Sequence, residues 1–307
     1  MDPTALGLRR LVVPTAVGTI VVHAGRVSGS PVATVLLHGA AGSWRTWAPM
    51  IAASDDIRLP LSDIVAIDLP GWGESAGPVP DPGDLAVAVA AVVRALGYPR
   101  WRVVGHSLGA VVALDVAARF PSATVGVGLV SPSGEGARTV ARHPLRGILT
   151  LPGLAGMVAA MHVLRGLGPL SRPLLTLLAR TGMLSVLARP LFRHPSRVDR
   201  AETDALATEI RPAAFLAAAR TARTHDDAVW RRVACPVRSV RGRHDVFVAA
   251  RDARAWARTI IDFDEVALED SGHFAHVEQP IPTLRALRAV WAADRAPAPV
   301  RRSATAA

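Results

Sequence analysis

Two hydrophobic patterns alternate along the chain. Short apolar runs rich in Val and Ile are separated by longer stretches whose apolar residues recur at helical spacing. Leu11–Val13 and Thr19–Val22 flank a turn over Pro14–Gly18 and predict a hairpin over residues 9–24. Ala33–Leu37 and Ile64–Ile67 are nearly all apolar, as strands buried on both faces are. A helix is predicted from Asp84 to Leu96. Trp101–Leu114 then reads as strand, sharp turn and helix, and Val125–Val130 as a sixth strand. Apolar strands alternating with helical runs are the pattern of βαβ units and a mostly parallel sheet. The pattern resumes with a strand at Val237–Val240, a helix from Ala249 to Thr259, a strand at Glu265–Leu268 and a helix from Pro280 to Ala293.

Residues 132–223 break this alternation. They are rich in Leu, Ala and Arg and offer no convincing strand. Pro and Gly punctuate five helical runs: Gly147–Leu164, Pro173–Ala179, Met183–Ala188, Glu202–Ile210 and Pro212–Arg220. The expected organisation is a core of residues 1–131 and 224–294, a helical cap of residues 132–223, and a disordered Ala/Pro/Arg tail over 295–307. Gly147–Leu164 carries no formal charge over 18 residues, which touches the length of a membrane span. Pro152, Gly153, Gly156 and His162 favour a lid helix instead. An intermediate expectation is a cap whose apolar face rests on a bilayer surface, with arginines at the headgroups.

Charge changes this picture little. The net charge is +10, and every one of the 35 cationic residues is arginine. The arginines are scattered, with no basic patch interleaved with aromatics, so no nucleic-acid partner is expected. The one cysteine, Cys235, can form no disulfide within the chain and fits a reducing cytoplasm. It sits before Pro236 at the start of an apolar run, the position of a buried core thiol. The N-terminus lacks the charged and apolar stretches of a signal peptide.

The candidate chemistry starts at Gly105-His106-Ser107-Leu108-Gly109. Small residues two before and two after Ser107 let strand and helix approach closely, and the turn lifts the hydroxyl clear of the sheet. Serine is a weak nucleophile until a base lies within hydrogen-bond reach and a third group orients that base. Asp245 follows Val237–Val240 through Arg241-Gly242-Arg243-His244, and His273 lies in Asp270-Ser271-Gly272-His273 after another strand. Glu135, just past the sixth strand, is the rival acid, and His276 the rival base. His273, His276 and Glu278 form too small a set for a metal site, and no cofactor is implied.

These stretches, with His38-Gly39 and Asp68-Leu69-Pro70-Gly71-Trp72-Gly73-Glu74-Ser75, resemble the α/β-hydrolase superfamily. The resemblance implies a doubly wound, mostly parallel eight-stranded sheet with the cap inserted after strand 6. It implies Ser107 as nucleophile, His273 as general base and then acid, and Asp245 as the group holding the imidazole. The backbone N–H of Leu108 supplies half of an oxyanion hole; the N–H of Ala40, or else Ala41, supplies the other half. His38, Asp68 and His106 are expected to be scaffold. Relatives that open epoxides or remove halogens use aspartate at the nucleophile position, so Ser107 points to acyl chemistry on a small, apolar substrate. A non-hydrolytic protein holding a hydrophobic ligand on the same fold is the alternative.

Overall fold

A computed structural model describes residues 2–198 and 208–292. Eight strands form one sheet: β1 (Leu8–Thr15), β2 (Gly18–Gly25), β3 (Val32–Leu37), β4 (Ile64–Ile67), β5 (Arg100–His106), β6 (Thr124–Val130), β7 (Val237–Gly242) and β8 (Phe263–Leu268). Their order is β1-β2-β4-β3-β5-β6-β7-β8. β2 runs antiparallel to β1 and β4, and all later pairings are parallel. Every residue of β3 and β4 is buried, the consequence of helices covering both faces of a parallel sheet. The hairpin turn is tighter than the sequence suggests. Only Ala16 and Val17 lie outside the ladder, and Pro14 pairs with Thr19 on the edge strand, where a missing N–H costs least.

Helices α1 (Ala48–Asp56), α2 (Pro82–Ala95) and α3 (Leu108–Arg119) pack around the first six strands. The sequence pattern gave no warning of α1. After β6 comes the helical insertion: α4 (Glu135–Arg142), α5 (Pro144–Thr150), α6 (Pro152–Gly166), α7 (Ser171–Arg180), α8 (Met183–Ala188) and α9 (Pro212–Thr224). The expected single helix over 147–164 is two helices. Leu151, with φ −142° and ψ 71°, precedes Pro152, and the pyrrolidine ring forces the preceding residue out of the helical region. The run expected over Glu202–Ile210 falls mostly outside the described residues, as does the tail.

The return to the core is α10 (Asp252–Thr259) between β7 and β8, then α11 (Ala275–Glu278), α12 (Pro280–Ala286) and α13 (Arg288–Ala292). The predicted final helix from Pro280 to Ala293 is thus interrupted at Leu287, and α10 starts three residues later than expected. Cys235 is buried in the core, and burial pushes its thiol up to about 12, which leaves it protonated and inert at neutral pH.

Candidate active site

Three adjacent parallel strands end in strained, non-glycine residues. Ala41 follows β3 with φ 60°, Ser107 follows β5 with φ 52°, and Ser131 follows β6 with φ 45°. Positive φ costs an L-residue roughly 1–3 kcal/mol, and such positions cluster where geometry matters. Ser107 combines φ 52° with ψ −111° as the cap residue of α3. The flanking glycines make this possible. A Cβ on Gly105 would overlap the Gly109 carbonyl, and one on Gly109 would overlap the carbonyls of Leu37 and His38. Ser107 Oγ lies 3.3 Å from Ser133 Oγ, in the loop after β6.

The loops after β7 and β8 bring two more predicted residues together. His273 Nδ1 lies 3.0 Å from both carboxylate oxygens of Asp245. An ionised carboxylate only accepts, so Nδ1 donates to it, and in the neutral ring it is Nε2 that holds the lone pair. Asp245 Oδ1 also accepts from the backbone N–H groups of Phe247 and Val248. A turn-capping carboxylate and a histidine-orienting one are therefore the same group. The side chains of both residues are nearly inaccessible, Asp245 at 0% and His273 at 4%. No Ser107–His273 hydrogen bond is formed in this arrangement; the hydroxyl is turned towards Ser133. The two neighbourhoods nevertheless touch. His106 Nε2 donates to the His273 carbonyl at 3.0 Å, and the two rings lie 4.8 Å apart.

The rival residues fall elsewhere. Glu135 is exposed and ion-pairs with Arg138. His276 is fully buried against Trp47 and His106, neither ring nitrogen has a hydrogen-bond partner, and burial pushes its pKa down to about 3. It is a neutral packing element, not a base. His38 is likewise held neutral, at about 4, by burial. It accepts from the Leu69 N–H at 2.9 Å and donates to the Gly39 carbonyl at 2.7 Å, which ties two strand-end loops together. Asp68 accepts from the N–H groups of Trp44 and Glu74. All three expected scaffold residues thus make scaffold contacts.

Ser107, Leu108 and Ala40 line a cleft of about 100 Å³. Its walls are mostly apolar and come from α3, α4, α6 and α9, with Val111, Val140, Val158 and Phe215 among them. Neither the Leu108 nor the Ala40 N–H donates a hydrogen bond among the described residues. An ionic cluster that the sequence did not disclose borders the cleft. Asp115 of α3 accepts from Trp230 Nε1 at 2.7 Å and from His225 Nε2 at 3.0 Å. Burial would lower the His225 pKa, but its hydrogen bonds to Asp115 and Asp227 outweigh that and raise it to about 9. Arg138 closes the cluster on Asp227.

The insertion also reaches the histidine loop. The His273 N–H donates to the Leu191 carbonyl at 2.8 Å, the His194 N–H donates to Glu278 at 2.9 Å, and Phe192 stacks on Phe274. Among the described residues no group of His, Cys, Asp and Glu is arranged to hold a metal ion.

A mostly parallel sheet whose chemistry-bearing residues gather at the strands' C-terminal ends, under helices inserted after the sixth strand, defines the class as an α/β protein with a strand-end site. The chain belongs to the alpha/beta hydrolase family, whose model matches residues 34–287. Over 134 residues it is 34% identical to the 2-hydroxy-6-oxo-6-phenylhexa-2,4-dienoate hydrolase of Burkholderia cepacia, covering 40% of this chain and 44% of that one. Over 117 residues it is 32% identical to the dihydrolipoyllysine-residue acetyltransferase component of the acetoin cleaving system of Pseudomonas putida, covering 36% and 29%. The matches thus span less than half the length of these curated relatives. In three dimensions it resembles a membrane phospholipase A described as a bacterial virulence factor, with TM-score 0.72, 19% identity, and 96% and 89% of the two chains covered. It also resembles the epoxide hydrolase CorEH, with TM-score 0.66, 18% identity, and 92% and 98% covered. At such identities these likenesses speak for the fold alone.

Proposed function

We propose that this chain is a serine hydrolase that cleaves a carboxylic ester or related acyl substrate through a covalent acyl-enzyme. The observation that carries the reading is the Asp245–His273 pair, in which Nδ1 faces the carboxylate so that Nε2 is the nitrogen left to take a proton, on a ring packed against His106 of the strand that delivers Ser107. Rotation about the Ser107 Cα–Cβ bond, a fast motion, turns Oγ from Ser133 to the imidazole. His273 Nε2 takes the hydroxyl proton as Oγ attacks the carbonyl carbon. The tetrahedral oxyanion is held by the otherwise undonated N–H groups of Leu108 and Ala40. His273 then gives its proton to the leaving alcohol, the acyl-enzyme forms, and water repeats the sequence in reverse order. Asp245 stabilises the imidazolium and fixes its tautomer. The apolar cleft walls favour an aliphatic or otherwise apolar acyl group.

A serine at position 107 attacks carbonyl carbon, so the likeness to an epoxide hydrolase does not extend to its activity. Fluorophosphonate labelling tests the reading: the adduct is expected on Ser107, and Ser107→Ala is expected to lose labelling and about 10⁶-fold in ester turnover. Unchanged turnover in that variant overturns the mechanism. Nitrophenyl esters of increasing chain length then measure the cleft.

A further inference from the structure

The cap presents an unusual surface. From Gly136 to Val198 there is no Asp or Glu, and there are nine arginines. Arg146, Arg165, Arg172, Arg180 and Arg189 are exposed, and among the described residues none of them pairs with a carboxylate. The same stretch holds most of the exposed large apolar side chains of the described chain. Leu170, Leu174 and Leu177 recur at helical spacing on and before α7, and Met183, Val186 and Leu187 do so on α8. Leu145 and Leu149 of α5 are 82% and 85% exposed.

We propose that this face of the cap, centred on α7 and α8, seats on the surface of an anionic lipid bilayer. Aliphatic stripes flanked by arginine are what a helix lying in a membrane interface presents. The guanidinium groups meet lipid phosphates while the leucines enter the acyl boundary. A second copy of the chain fits less well, because a symmetric contact sets this arginine-rich face, drawn from a run with no acid between residues 136 and 198, against itself. Nucleic acid fits less well too, since the exposed apolar side chains here are aliphatic and offer bases nothing to stack on. The face lies on the membrane and does not cross it. No single described helix is long and apolar enough to span, and the one pair that reaches the length, 152–166 with 168–180, is bent by 117°.

A second cavity lies beside the site, within the cap. It has a volume of about 530 Å³ and runs between α5, α6 and α9. Ile148, exposed on the cap surface, is part of its wall. Val140, Ala141, Val158 and Ala219 separate it from the cleft of Ser107 and line both.

Vesicle flotation tests the docking directly. The full chain and Ser107→Ala, read side by side so that failure of the catalytic reading leaves the result intact, are expected to float with phosphatidylglycerol-containing vesicles but not with pure phosphatidylcholine. Binding is expected to collapse as salt rises and the screening length shortens. Arg172→Ala with Arg180→Ala should weaken partitioning about 25-fold, at about fivefold per arginine. Leu174→Ser with Leu177→Ser should weaken it at least tenfold. Ile261→Ser, more exposed than either leucine but outside the cap, should change nothing, and the arginine, leucine and Ile261 variants should keep wild-type turnover on a water-soluble ester. Should a double variant misfold by circular dichroism, the salt titration of the unaltered chain decides. Absence of flotation, equal flotation on neutral vesicles, or a concentration-dependent dimer abolished by the same variants overturns the proposal.

Discussion

The strand ends of the core and the outer helices of the cap solve opposite problems. In the core several buried polar side chains are pinned: His38, Asp68 and Asp245 near the strand ends and Asp115 on α3 each hold two or more partners, largely shielded from water. On α7 and α8 leucines such as Leu174 and Leu177 meet solvent beside arginines that pair with no carboxylate among the described residues. A buried hydrogen-bonded network allows one geometry, and removing a member is costly. An exposed amphipathic helix allows many substitutions at little cost to folding. The contrast separates the part of the molecule that fixes atoms from the part that meets a changing environment.

The largest expected effects test the fixed part. Asp245→Asn should leave the fold intact and lower ester turnover about 10⁴-fold, because the histidine loses its tautomer control; steady-state kinetics on the purified variant would show it. Asp115→Ala should destabilise the protein by about 3–5 kcal/mol, since it leaves the His225 cation and the Trp230 N–H buried without their shared acceptor. Denaturant unfolding measures that loss, and a change below 1 kcal/mol would show that the cluster is not the anchor it looks to be.

The same cluster predicts a pH dependence. His225 is raised to about 9 in the folded protein from an ordinary 6.5. Its contribution is therefore complete below about pH 6.5 and is lost as pH rises through about 9. The ceiling on that loss is about 3 kcal/mol, reduced by any solvent screening of the partly accessible Asp227. Melting temperature against pH should fall across this window, and His225→Gln should flatten the curve. The smallest effect belongs to the cap: Leu149→Ser should shift stability by no more than about 0.5 kcal/mol. A shift of several kcal/mol there would erase the contrast between the two regions.

How much of this was readable in the linear chain follows the same division. The parallel strands announce themselves because burial on both faces leaves little room for polar residues: in Val32–Leu37 only Thr34 is polar. Ser107 was legible because the close approach of strand and helix demands Gly105 and Gly109, a constraint written in adjacent residues. Asp245 and His273 were legible through the turns that carry them. Ser133 was not, because a serine in a loop carries no signature until its oxygen is found 3.3 Å from another. The Asp115–His225 link was hidden for the same reason: 110 residues separate its members. The break at Leu151 was written in Pro152, yet the uncharged run around it masked the stop. Helix α1 was missed because Ala48–Asp56 joins buried Met50 and Ile51 to a polar C-terminal end in a stretch too short to show a period.

The hydrogen bond from the His273 amide to the Leu191 carbonyl has a mechanical consequence. A cap resting only on the rim of the sheet could swing away as a rigid flap. This one grips the backbone of the very loop that carries the imidazole, so a wholesale lift would tug the ring off its carboxylate. Any opening that spares the Asp245–His273 pair must leave the 191–194 end latched.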